Sequence, residues 1–386
     1  MELFFRVSSC STDLFLPLEH FVKSVFLPSL LGRTVPGDVE RKLFALPVRL
    51  GGLGVFDPSI VVSQQRSCSV EVNAGLVGLI ISQVHQLGDC LDAQVQLRSK
   101  FHSRSHQEQL QSANHLFDEL PPSMRSSVML AQEEGASNWL SCLPLKSHNF
   151  VFHKTAFRDA IALRYHWLPS ACPTSCACGH SFTIEHALSC PKGGFPSLRH
   201  NEVRDLTTNL LSEVCNNVVT EPHLQPLSGE TLQYKTANRD DNARLDIAAN
   251  GFWGRRFERS YFDVRIFNPS APSNQPLHSA YRRHDKEKRR EYQQRVHEVE
   301  NASFTPLIFT TTGGMGDAAT QFYKRLANLL SAKHSLSYGI VMGWLRCKLS
   351  FSLLRSAIMC IRGARSSLCC PIAEAPIAVQ VAEAHM

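Results

Sequence analysis

Residues 171–196 set the tightest limit on what this chain can fold into. The stretch is rich in Cys, Pro and Gly, has no helical period, and holds too little apolar material for a core of its own. A segment of that kind usually needs a disulfide or a metal to stay folded. Within it runs Cys176-Ala-Cys178-Gly-His-Ser-Phe-Thr-Ile-Glu-His186-Ala-Leu-Ser-Cys190, two thiols suited to a turn and then a His and a Cys four apart. On a helix that last pair shares one face, and Gly179 frees the backbone to reverse after the first pair. Four N and S donors in a tetrahedron are what zinc takes, so the spacing predicts a structural Zn2+ site at Cys176, Cys178, His186 and Cys190. The Cys-x-Cys gap is tighter than usual. Cys172 could therefore replace Cys176 or Cys178, and His180 is a weaker substitute.

A chain of 386 residues, 43% hydrophobic and 19% charged, has the make-up of a soluble protein with two or three compact units. Its 13 cysteines lie mostly among apolar residues with no secretory leader pattern ahead of them, which points to reduced thiols in a reducing intracellular compartment. No membrane span is expected: the run from Val72 to Leu87 is too short, and Arg346, Lys348 and Arg355 interrupt the apolar C-terminal region. The net charge of +6 is a mild basic bias, compatible with nucleic acid. Much of it falls in Arg282, Arg283, Lys286, Lys288, Arg289 and Arg290.

Composition divides the chain at 60, 170, 196, 335 and 368. An apolar start (1–60) ends in Leu50-Gly-Gly-Leu-Gly54. A mostly helical region (61–170) contains a polar stretch near 99–115 suited to a loop or linker. The Cys-rich segment (171–196) precedes an α/β region (197–335), a helical extension (336–368) and a small-residue tail (369–386) expected to be disordered.

In 197–335 the order reads helix, strand, strand, strand, helix, strand. The elements are Arg199–Val214, Val218–Thr220, Arg244–Ala248, Tyr261–Phe267, a charged helix Tyr281–Glu300, and Leu307–Thr310. Strict alternation in the third strand puts Asp263, Arg265 and Phe267 on one face and Phe262, Val264 and Ile266 on the other. Asp246 and Asp263 on adjacent strands could share a Mg2+ or Mn2+ ion, since hard cations choose carboxylate oxygens. Arg265 could hold a phosphate but is a poor base. Lys288 and Tyr292, i and i+4 on a helix, could face the pair. Glu202 on the first helix is a possible third acid and Glu258 a weaker rival to Asp263, while Asp240 and Asp241 read as turn residues.

Taken in order, Arg49-Leu-Gly-Gly-Leu-Gly54, the Cys/His segment 176–190, Arg199-His-Asn-Glu202, Arg244-Leu-Asp246-Ile, Phe262-Asp-Val-Arg265 and Lys288…Tyr292 resemble the C-terminal region of non-LTR retrotransposon reverse transcriptase polyproteins. The resemblance covers about residues 40 to 365. It implies a polymerase-thumb remnant (1–60), a CCHC zinc knuckle, and a restriction-endonuclease-like domain with αβββαβ order. The active site it implies comprises Asp246, Asp263, Lys288, Tyr292, Glu202 and Arg265, where Arg265 departs from the family's lysine. It further implies nicking of a DNA target in the nucleus to prime reverse transcription of the element's RNA, with Arg282, Arg283 and Arg289 on nucleic acid. Nothing in 1–60 resembles the polymerase metal site, so no polymerase activity is expected. Two other readings stay open: a catalytically dead nucleic-acid-binding remnant, and a scaffold protein with a structural zinc site.

Overall fold

The computed structural model describes residues 12–83 and 88–363. The small-residue tail from 369 onward lies outside them. Two compact units result, Met1–Gln132 and Glu133–Met386.

The first unit is helical where it is described. Its two long helices are α1 (Pro58–Ser82) and α2 (Gly88–Glu119). Asp57 caps α1 by accepting from Ser59 N at 2.9 Å, with Pro58 in the first turn, where its missing N–H costs nothing. The polar stretch 99–115 is not a loop or linker: it is the middle of α2. No Gly or Pro interrupts it, and its Arg104–Glu108 ion pair spans one turn at 3.7 Å. Earlier in the unit, Gly51 has φ +88°, and a Cβ on Gly52 would collide with the Leu46 carbonyl, so the glycine cluster marks a close backbone crossing. Among the described residues, one helical run has the length and composition to cross a membrane, Asp13–Leu31, of which 17% is buried. Core helices and leader segments meet the same criterion.

The second unit is α/β with a small mixed sheet. After the helices Asn138–Ser141 and Lys154–Arg164 it contains, in chain order, α3 (Ile184–Ser189), α4 (Phe195–Val214), β1 (Asn216–Thr220), β2 (Ile247–Asn250), β3 (Arg259–Phe267) and α5 (Leu277–Lys288). A π-helical turn, Arg289–Gln293, then α6 (Gln294–Glu298), β4 (Ser303–Thr310), α7 (Asp317–His334) and α8 (Tyr338–Arg362) follow. The strands lie in the order β1-β2-β3-β4, antiparallel except for the parallel β3–β4 pair. Both faces are covered, so β3 and β4 are buried along most of their length. One face, with Ile247, Phe262, Val264, Leu307 and Phe309, packs on α4, α7 and α8. The other meets α5, the π turn and α6 through Tyr261 and Phe304 against Tyr292 and Val296, and through Phe267 and Ile308 against Ala280. Pro306 is tolerated within β4 because that strand pairs on one side only.

Several boundaries move from where periodicity sets them: α4 begins at Phe195, β1 at Asn216, β3 at Arg259 and β4 at Ser303. The charged helix begins at Leu277 and is wound as π over Arg289–Gln293. The second strand begins at Ile247 rather than Arg244, because residues 244–246 leave β3 and stay with the continuation of β1. There His223 bridges Arg244, Leu245 N donates to Pro222 O at 3.2 Å, and Glu221 N donates to Asp246 O at 2.9 Å. Asp246 therefore sits in the fork where β2 and β3 part. The long β1–β2 loop is pinned by Arg295, fully buried on α6, which donates to the carbonyls of Gln225, Asn238 and Asp240.

Candidate metal centre and acidic site

The Cys-rich segment folds as a tight reversal followed by α3. Cys176 N donates to His180 O at 2.8 Å, Gly179 N to Cys176 O at 2.9 Å, and Gly179 takes φ +91°. Thr183 caps α3 by accepting from His186 N at 3.1 Å. Cys190 lies one residue past the end of that helix, its N–H still bonded to His186 O at 2.8 Å. The donor atoms of Cys176, Cys178, His186 and Cys190 consequently lie within 4.8 Å of one another. The Cys176–Cys190 Sγ distance is 3.9 Å and Cys178 Sγ to His186 Nε2 is 3.2 Å. With Zn–S bonds of about 2.3 Å, a tetrahedron needs sulfur–sulfur edges of about 3.8 Å, so the donor set fits a metal such as zinc. Burial opposes ionisation of Cys176, yet the Cys178 backbone amide and the contacts to His186, Cys178 and Cys190 pull its thiol down to about 6. Burial raises the Cys190 thiol.

Neither spare ligand belongs to the four. Cys172 is half-buried against the apolar side of the cluster, and His180 touches Cys178 Sγ at 3.4 Å while stacking on His186. The core that this segment lacks comes from elsewhere: Ile361 lies against Cys176, Phe182, Ala187 and Cys190, and Ala357 and Cys360 lie against Ile184 and Leu188.

The acidic site lies at the fork. The β2–β3 ladder ends at the Ile247–Phe262 pair; just beyond it the Asp246 carboxylate accepts from Val264 N at 2.6 Å, near enough to Asp263 for its charge to act on that carboxyl. Lys288, the last residue of α5, reaches the same point, with Nζ 2.9 Å from Asp263 Oδ2 and 3.6 Å from Glu291 Oε2. Asp263 Oδ2 is buried, and the Lys288 ammonium is its ion-pair partner. Burial pushes the Asp263 carboxyl up to about 6, opposed by Lys288 and reinforced by the charge of Asp246. Burial works against charge on Lys288, but Asp263 outweighs it and holds the ammonium above its ordinary value.

Tyr292 touches Lys288 with its ring, 5.3 Å from Nζ, while its hydroxyl accepts from Asn238 Nδ2 at 3.4 Å. It thus supports the lysine and the β1–β2 loop together, and burial pushes its hydroxyl to about 12. Arg265 is exposed two residues beyond Asp263. Glu202 lies roughly 200° around α4 from His200, away from the fork. Burial raises its carboxyl, and the nearby charges are Arg355 and Asp205. Glu258, the weaker rival, accepts from Arg255 N at 3.2 Å.

One residue at the fork was not picked out from the sequence. His200 Nε2 lies 3.0 Å from Asp246 Oδ2 and 3.1 Å from Val264 O. Its only signal was its place in Arg199-His-Asn-Glu202, where the carboxylate drew the attention. No protein-family model matches this chain, and no curated protein matches it.

A buried carboxyl held near 6 has a sign that can be tested. Its folded-state value lies above the ordinary 3.8, so its stabilising contribution is complete below about 4 and is lost as pH rises through about 6. Without added divalent ions, the thermal midpoint of the wild type is expected to fall between pH 5 and 7.5 relative to that of Asp263→Asn. Both proteins share the Cys/His cluster, so its own titration cancels. Parallel curves would show that Asp263 ionises normally.

Proposed function

We propose that the unit Glu133–Met386 is a divalent-metal-dependent DNA endonuclease carrying a structural zinc knuckle, and that it nicks chromosomal DNA for insertion of a retroelement. The observation that carries this reading is the nearness of Asp246, Asp263 and Lys288 at one fork, from segments far apart in the chain. The helix and strand order of the unit is consistent with it. Hydrolysis of a phosphodiester needs a cation to neutralise the phosphate and lower the pKa of the attacking water, which Mg2+ or Mn2+ on the two aspartates would supply. Asp263 Oδ2, buried beside the Lys288 ammonium, is a hard oxygen of the kind such an ion selects. Lys288, kept charged by its neighbours, stabilises negative charge on the phosphate rather than taking a proton. Arg265, exposed on the same strand, holds a phosphate oxygen.

The test is incubation of the purified protein with supercoiled plasmid and Mn2+ beside an Asp246→Ala control. Metal-dependent nicking by the wild type alone supports the reading, and its absence removes it. Binding without cleavage is the second reading, favoured by one observation: Asp246 Oδ2 already accepts from Val264 N and lies against His200.

DNA, and the element's RNA, would be held through phosphates along α5. Arg282 is exposed there, whereas Arg283 is partly engaged with Asn274 Oδ1 at 2.6 Å. Arg282→Ala is expected to weaken binding about equally for all sequences and to reduce the salt slope by about 1. Arg283→Ala should do less. Fluorescence anisotropy across a salt series measures both, and a binding constant indifferent to salt would overturn the phosphate assignment.

A further inference from the structure

We infer that His200 is a positioning residue of this acidic site, a clamp that holds the Asp246 carboxylate in the fork through a hydrogen bond from Nε2. The inference rests on the nuclease reading above and adds a residue to it. At the fork β2 has left, and the edge of β3 next to it exposes the N–H and C=O of Val264. Unpaired buried backbone groups are costly, so something must replace the missing strand. Two side chains do. Asp246 Oδ2 accepts from Val264 N at 2.6 Å, and His200 Nε2 reaches Val264 O at 3.1 Å.

The same His200 nitrogen lies 3.0 Å from Asp246 Oδ2. A carbonyl oxygen can only accept, so the proton is on Nε2 and the imidazole donates to both oxygens. This fixes the role. With Nε2 protonated and shared, His200 offers neither a lone pair to a metal nor a base to water from that atom. Its Nδ1 faces Asn201 Oδ1 at 3.3 Å. What it does is fix the orientation of Asp246: one carboxylate oxygen is held by a ring donor and a backbone donor. Oδ1 is left for a cation near Asp263. Residues that hold a metal-binding carboxylate in this way usually change metal affinity by 10- to 100-fold when removed.

The experiment measures Mn2+ binding by the full chain, read from the loss of the free Mn2+ resonance signal, with nicking as a second readout. Four proteins are compared: wild type, Asp246→Ala, His200→Ala and His200→Gln. Gln places an amide N–H donor at the reach of Nε2 but carries no titrating ring. The expected result is Mn2+ binding that depends on Asp246, weakened about 10-fold or more in His200→Ala and restored to within a few-fold by His200→Gln. Nicking by His200→Ala should recover at high Mn2+. If His200→Ala binds Mn2+ as the wild type does, the contact only seals the sheet edge and the positioning role falls, while the nuclease reading stands. If His200→Gln binds Mn2+ normally yet does not nick, the ring itself carries a proton and the clamp assignment is wrong. If the wild type binds no Mn2+ in an Asp246-dependent way, the nuclease reading fails and the clamp falls with it. A melting curve on each variant confirms that it is folded.

Discussion

Removing the metal from the Cys176–Cys178–His186–Cys190 cluster is expected to destabilise the whole second unit, not only the segment that carries it. Binding of a structural zinc ion contributes on the order of 10 kcal/mol to the fold it closes. Part of that remains available from packing, because α3 is seated on Ile361, Ala357 and Cys360 of α8. Even a third of it lowers the thermal midpoint of a domain this size by about 10 °C. The effect should also reach the acidic site. Asn268, just past β3, donates to Glu185 O and Ser189 Oγ of α3 at 3.2 Å each, and Arg199 donates to Leu188 O at 2.9 Å beside His200. Cys190→Ser should therefore lose zinc, melt early and weaken Mn2+ binding together, whereas Cys172→Ser, outside the four ligands, should melt near the wild type. Metal analysis with calorimetry decides it. Protein purified without chelator that holds no zinc and melts no lower than a zinc-loaded sample would remove the structural metal.

The second large effect, which follows from the proposed nuclease function, is on nicking. Asp246→Ala and Asp263→Ala should each lower the rate to background while leaving DNA binding nearly intact, since both acids repel phosphate until a cation bridges them. Lys288→Ala should cost about 100- to 1,000-fold, the usual loss when one preorganised electrostatic partner of the reacting group is removed. Arg289→Ala should stay within about twofold, as surface pairs contribute little: Arg289 is engaged with Asp285 at 2.8 Å on the same helix. Tyr292→Phe should be mild because the hydroxyl serves Asn238, and Tyr292→Ala worse because Lys288 loses the ring beneath it. Equal losses for Lys288→Ala and Arg289→Ala would mean that the helix acts through general charge and not through one lysine.

What the sequence determined by itself was whatever depends on short spacing. The four donors of the Cys/His cluster span fifteen positions, and a turn plus one helical turn brings them together. Asp263 and Arg265 share a strand face by alternation, and Lys288 and Tyr292 stay near each other at i and i+4 despite the π turn. The polar stretch in α2 has the composition of a loop, but it holds no Gly or Pro to break the helix that runs through it. Only the tertiary structure decided the rest. The core of the Cys/His segment comes from Ala357, Cys360 and Ile361 of α8, more than 160 residues further on. Asp246 lies in a fork rather than in a strand, because residues 244–246 pair with β1 and leave β3. His200 meets that fork across 46 positions, and Glu202, two residues on, turns the other way. No local period encodes such meetings: they arise where a strand edge is left unpaired and buried backbone groups must be satisfied by whatever side chains the packing of α4 against the sheet brings within reach.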